Sequence, residues 1–108
     1  MSAEVSAPRR PRSKAEFTDL SRACAPFLQT FLSRRGYATR RQGGRLLIGK
    51  PDGSRLSFHA WTVWLNSGRW LDYSTGSHGD AVQLIEDIDR CSRRDAIDFA
   101  IGLSGWRP

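Results

Sequence analysis

The chain has 108 residues, which is room for one domain with one core. An apolar share of 39%, with four Trp, two Tyr and five Phe, excludes wholesale disorder, and no run reaches the roughly 18 apolar residues of a membrane span. The formal net charge is +6 and is unevenly placed: residues 1–69 hold 13 Lys and Arg against 4 Asp and Glu, a net of +9, and residues 70–108 hold 4 against 7, a net of −3.

Residues 1–12 carry two prolines, no hydrophobic period and no apolar signal core, so they are expected to form a flexible basic arm preceding a single domain over 13–108. Ser13 followed by Glu16 fits a capping box, and Phe17, Leu20, Cys24, Phe27, Leu28 and Phe31 recur at helical spacing as far as Gly36. This predicts a helix from about Lys14 to Arg35, kinked at Pro26 or divided into two helices meeting at Ala25. Past Gly36 come short segments separated by turn residues: Tyr37 to Gln42, Arg45 to Lys50, Ser54 to Ala60, Trp61 to Leu65 and Arg69 to Ser74. Gly43-Gly44, Pro51-Asp52-Gly53 and Asn66-Ser67-Gly68 supply the positive φ angles of tight reversals, so an antiparallel meander of four or five strands is predicted. Thr75 to Gly79 reads as a loop. Asp80 is a plausible cap for a helix carrying Val82, Leu84, Ile85 and Ile88 to about Arg90. Ser92 with Asp95 opens a last helix ended by Ser104-Gly105. The expected fold class is α+β, a central antiparallel meander with an N-terminal helix and two C-terminal helices.

Fifteen of the 17 cations are Arg, whose guanidinium suits bidentate phosphate contact and stacking on bases. A polyanionic partner is therefore one reading of the charge, and a merely soluble basic surface is the other. Two widely separated cysteines, Cys24 and Cys91, suggest free, mostly buried thiols and a reducing cytoplasmic setting rather than a disulfide framework. Cys24, His59, His78 and Cys91 are each isolated, without the close ligand pairs that structural zinc sites draw on, so no metal and no cofactor are expected. Asp87 and Asp89 resemble a magnesium-binding pair only in composition, because two residues apart on a helix they point in different directions. No nucleophile and base constellation stands out, and the chain is expected not to be an enzyme. Gly76-Ser77-His78-Gly79 can present amides beside a helix start, but Asp80 occupies that position itself, giving the loop a mainly structural role.

The segment from Trp70 to Ile85, Trp-Leu-Asp-Tyr-Ser-Thr-Gly-Ser-His-Gly-Asp-Ala-Val-Gln-Leu-Ile, resembles the second half of the N-terminal zinc-finger domain of bacterial and phage primases. An aromatic strand, glycines and a Gly-Asp opening an apolar-faced helix are shared. Gly43 to Gly49 is similar to the strand before that family's first ligand pair, and Asp95-Ala96-Ile97 to its closing segment. Asp72 and Thr75 stand where the family has C-x-x-C, and no Cys or His occurs near Ile48 to Pro51, so the resemblance is to zinc-less relatives in plasmids, phages and mobile elements. It implies a nucleic-acid-binding module without the polymerising domain.

Basic and aromatic residues interleave on the predicted strands. Arg34, Arg35, Arg40, Arg41, Arg45, Lys50, Arg55 and Arg69 are the candidate phosphate contacts, and Tyr37, Trp61, Trp64, Trp70 and Tyr73 the candidate stackers. Since strand residues alternate in direction, some aromatics must be core: Trp70 and Phe58 are assigned inward, Trp61 and Trp64 outward. The competing reading buries every Trp. The expectation is a module for DNA, preferably single-stranded or template-primer DNA, in replication or transfer of a mobile element. The alternative is an adaptor or inhibitor docking onto a primase, helicase or conjugation enzyme.

Overall fold

The structure, a computed structural model, describes residues 9–49 and 61–108. The expected strand Ser54 to Ala60, its turn at Pro51 to Gly53, and Lys50, Arg55, Phe58 and His59 lie outside the described residues, as do residues 1–8.

Helix α1 spans Lys14–Cys24. Ser13 Oγ accepts from the Glu16 amide at 3.1 Å, and the Glu16 carboxylate reaches back to the Arg12 amide at 2.8 Å, so two amides at the helix start are satisfied. A 3₁₀ turn over Ala25–Phe27 carries Pro26 in its first positions, where a missing N–H costs least, and α2 follows over Leu28–Arg34. The division at Ala25 is the second of the two predicted geometries. Gly36 then ends the helix at φ +87°, while the Tyr37 amide donates to the Leu32 carbonyl at 3.1 Å.

Among the described residues five antiparallel strands follow in simple order: β1 Ala38–Gln42, β2 Arg45–Gly49, β3 Trp61–Trp64, β4 Trp70–Asp72 and β5 His78–Gly79. Strand β5 corrects the expected loop over Thr75 to Gly79. The Asp72 carbonyl accepts from the Gly76 amide at 2.7 Å, the Asp72 amide donates to Ser77 O at 2.8 Å, and its carboxylate holds the Ser74 amide at 2.9 Å. That tight turn folds the chain back beside β4, a pairing which a two-residue strand has too little period to announce. Helix α3, Ala81–Asp89, is capped by Asp80 in a reciprocal box with Gln83, and α4, Arg93–Ser104, by Ser92, with Gly105 at φ +71° closing it. Together these elements make the α+β meander with flanking helices that the sequence patterns predict.

The described helices share one core with one face of the sheet, α4 packing on α1 and α3. Leu46, Ile48, Val63 and Trp70 point into a core with Leu20, Leu28 and Phe31 from the first helices, and with Val82, Ile85, Ala100 and Trp106 from the last two. Ser21 ties the layers together: its hydroxyl donates to the Ser67 carbonyl at 2.7 Å and accepts from the Ala81 amide at 3.0 Å. Residues 9–12, expected in the flexible arm, are instead seated on the body. Arg9 bonds Glu16 at 2.7 Å, Arg10 bonds Asp98 at 2.8 Å, and Pro11 is buried.

Candidate nucleic-acid interface

Register decides which way each candidate points. Leu46 faces Val63, and Val63 faces Trp70, so these side chains share the helix-covered side. Their sequence neighbours must share the other. On that outer side Gln42 lies opposite Arg45 and Arg45 opposite Trp64, while the Trp64 amide donates to the Arg69 carbonyl at 2.8 Å. One row across the sheet therefore reads Gln42, Arg45, Trp64, Arg69. A second row reads Arg40, Leu47, Thr62, Leu71, His78. Leu47 and Thr62 are buried, so the accessible part of this face is the first row together with the two ends of the second, Arg40 at one and Leu71 and His78 at the other. Neither row contains an Asp or Glu.

Trp64 is half-buried and takes no part in the hydrophobic core, in keeping with its outward assignment. Trp61 is also half-buried, but its outward assignment is corrected: it lies opposite Asp72 and two residues before Val63, on the helix side. There its ring meets Tyr37 edge-on at 5.7 Å and Trp70 at 6.1 Å, and its Nε1 is buried with no hydrogen-bond partner among the described residues. Trp70 is buried as expected, with Nε1 donating to the Asp80 carbonyl at 2.9 Å. Reading the five strands as separate hydrophobic runs leaves their parity free, which is why Trp61 and Trp64 received the same assignment although three residues apart they must face opposite ways.

The arginines also divide. Arg35 pairs bidentately with Asp89 at 2.9 and 3.0 Å and lies over the rings of Phe31 and Phe99, at 4.7 and 5.4 Å, so its guanidinium is already committed. The Arg35 guanidinium holds its proton more firmly in consequence, chiefly through the bond to Asp89. Arg34 is exposed at the end of α2, away from the rows. Arg41 is exposed on the edge strand but lies opposite Leu46, on the helix side. The structure thus brings together Arg40, Arg45, Trp64 and Arg69, and separates them from Arg34, Arg35, Arg41 and Trp61. Among the described residues Arg45 and Arg69 have no ion-pair partner.

Two concavities open where this face meets the helices. One, of about 390 Å³, runs along Trp64, Asn66, Arg69, Leu71 and His78. A second, of about 280 Å³, is walled by α1 through Lys14, Thr18 and Ser21 and by Asp80 and Gln83 of the α3 cap. Arg69 and His78 line both. Lys14, Leu71 and His78 were not among the sequence candidates. Alternation along Trp70-Leu71-Asp72 was the available signal for Leu71, but nothing local relates Lys14 to a strand more than 50 residues later.

Other chemistry finds little footing. Among the described residues no group of three His, Cys, Asp or Glu is placed to hold a metal ion. Burial pushes the Cys24 thiol up to about 11, and burial with nearby Asp89 and Asp95 raises that of Cys91, so neither has the lowered pKa of an activated nucleophile. No described helix is long and apolar enough to cross a membrane. Comparison of the chain with protein-family models, curated proteins and solved structures gives no match.

Proposed function

We propose that the outer face of the sheet binds single-stranded nucleic acid, as a non-catalytic module. The observation carrying this reading is the row Arg45, Trp64, Arg69: an indole outside the core, flanked by one guanidinium from β2 and one from the residue just before β4. A flat apolar ring stacks on any unpaired base, and cations on either side meet the phosphates that run past it. Duplex bases are already stacked and offer the ring nothing. The resemblance of Trp70 to Ile85 to the primase zinc-finger domain supports DNA as the polymer, and replication or transfer of a mobile element as the setting. In this chain the turn at the position of that family's cysteines is closed by the Asp72 carboxylate, which accepts from the Ser74 amide at 2.9 Å and the Ser74 hydroxyl at 2.6 Å. Such a turn needs no zinc to hold its shape.

An adaptor would dock through either the acidic C-terminal helices or the exposed tryptophans, and only the first of these is weakened by pairing within the chain. Three carboxylates of these helices are engaged: Glu86 by Arg93, Asp89 by Arg35 and Asp98 by Arg10. That leaves little acidic charge to recruit a partner.

A binding titration of single- and double-stranded oligonucleotides at several salt concentrations tests the proposal. With about three phosphate contacts the log–log slope on single strands should be near −2, and the pair Arg45→Ala and Arg69→Ala should flatten it by about 1.4. Affinity that is flat with salt, or indifferent to both substitutions, would overturn the reading.

A further inference from the structure

From the two adjoining concavities we infer a more specific ligand, resting on the single-strand reading: the site takes the end of a strand, with the terminal base on Trp64 and its phosphate monoester in the second cavity. The first concavity is bordered by the flat ring of Trp64 and the apolar side chain of Leu71, which suit a base. The second carries Lys14 from α1, Arg69 from the turn just before β4 and His78 from β5, three cation-forming side chains from three places in the chain. His78 Nδ1 donates to the Gly76 carbonyl oxygen at 3.2 Å, which orients the ring and leaves Nε2 as its remaining polar atom. Arg69 and His78 border both spaces, at the position a sugar-phosphate linkage would take between base and phosphate.

The helix terminus nearby does not supply the binding. Two of its first-turn amides are already taken, that of Gln83 by Asp80 and that of Ala81 by Ser21, so side chains are the main holders of the anion. Asp80 is the one carboxylate lining this cavity, and its oxygen accepts the Gln83 amide at 3.0 Å. Each concavity alone is at or near the lower limit of small-molecule sites, roughly 300–1,000 Å³, and the two together suit one nucleotide. Because α1 walls the far side of the second cavity, a strand entering there stops instead of running through. A terminal monoester also carries one more negative charge than an internal diester, which three cation-forming groups can use.

The test compares one short oligonucleotide with a 5′-phosphate, with a 3′-phosphate and with neither, beside a nucleoside monophosphate and inorganic phosphate. One phosphorylated end should bind about tenfold tighter than the bare strand, and Lys14→Ala and His78→Gln should bring that ratio close to one. Lys14→Arg should keep it. The nucleoside monophosphate should compete for the site, more weakly than the strand, and inorganic phosphate weaker still. Competition by the free nucleotide as strong as by the phosphorylated strand would overturn strand-end recognition in favour of a nucleotide site. Equal affinity for all three oligonucleotides would overturn the inference while the face reading stands, provided binding still depends on Trp64 and Arg45. If no oligonucleotide binds, both fall. Melting curves of each variant, Lys14 being exposed in the first turn of α1, separate lost binding from lost folding.

Discussion

Two tryptophans three residues apart show how much hangs on the direction of one side chain. Trp61 packs with Tyr37 and Trp70 against the helices, whereas Trp64 stands outside the core between Arg45 and Arg69. Replacing Trp64 by Ala should cost about 1–3 kcal/mol of single-strand affinity, the worth of one base stack, with the melting temperature nearly unchanged and the salt slope intact. Replacing Trp61 by Ala should do the reverse. Because Trp61 is only half-buried, its loss should destabilise the fold by about 2–3 kcal/mol, less than the ~3–5 of a fully buried aromatic, and leave the affinity of the folded fraction alone. Thermal melts and single-strand titrations on both variants check this. A Trp64 variant that melts early yet binds normally would remove the indole from the interface.

Among the elements, the joint between α1, the β3–β4 turn and α3 decides whether the candidate face and the cavity beside it keep their shape. Ser21 occupies that joint, buried, with its hydroxyl shared between Ser67 and Ala81. Ser21→Ala leaves the Ala81 amide without an acceptor, so a loss of about 2 kcal/mol is expected by chemical denaturation. Gly68 beside it has φ +77°, and a Cβ there would collide with the Ser21 carbonyl and come within 2.7 Å of its hydroxyl. Gly68→Ala should therefore cost more than Ser21→Ala, through both strain and clash. An equal or smaller loss would mean that the turn can move away from α1, and with it Arg69. The capping residues of this region, Ser13, Asp80 and Ser92, are legible from local pattern because a cap is a contact between residues two or three apart. The joint itself is not, since Ser21 lies 46 and 60 residues from its partners.

On the scale of the whole molecule, cations and carboxylates sort by face. The carboxylates of the C-terminal helices draw in Arg10, Arg35 and Arg93, while Arg45 and Arg69, at the sheet's outer face, have no such partner among the described residues. The same pairing holds the segment 9–12 in place. Glu16 is kept below its ordinary value of 4.5, chiefly by the bond from Arg9 and then by the Arg12 amide, and Asp98 below 3.8, chiefly by the bond from Arg10. A carboxyl whose folded pKa is lowered adds stability above its unfolded pKa and loses it as pH falls through the folded one. The double variant Glu16→Gln, Asp98→Asn should accordingly melt slightly below the native chain at pH 7, and the gap should close as pH falls through the lowered folded pKa values of the two carboxyls. A gap that persists in acid would assign the effect to packing of Pro11 instead of charge.

Composition and local period sufficed for the α+β class, an interruption of the first helix near Pro26 and the start of each later helix, because propensity, capping and turn chemistry act over a few residues. The basic first part of the chain was likewise plain from counting. Which arginines remain available, which tryptophan faces outward, and that Lys14 meets Arg69 and His78 around one cavity were settled only by folding. Strand parity is fixed through cross-strand register, and ion pairs form between residues such as Arg10 and Asp98 that are 88 positions apart. Such pairings are chosen by the packing of the core as a whole, and no window of the sequence contains both partners.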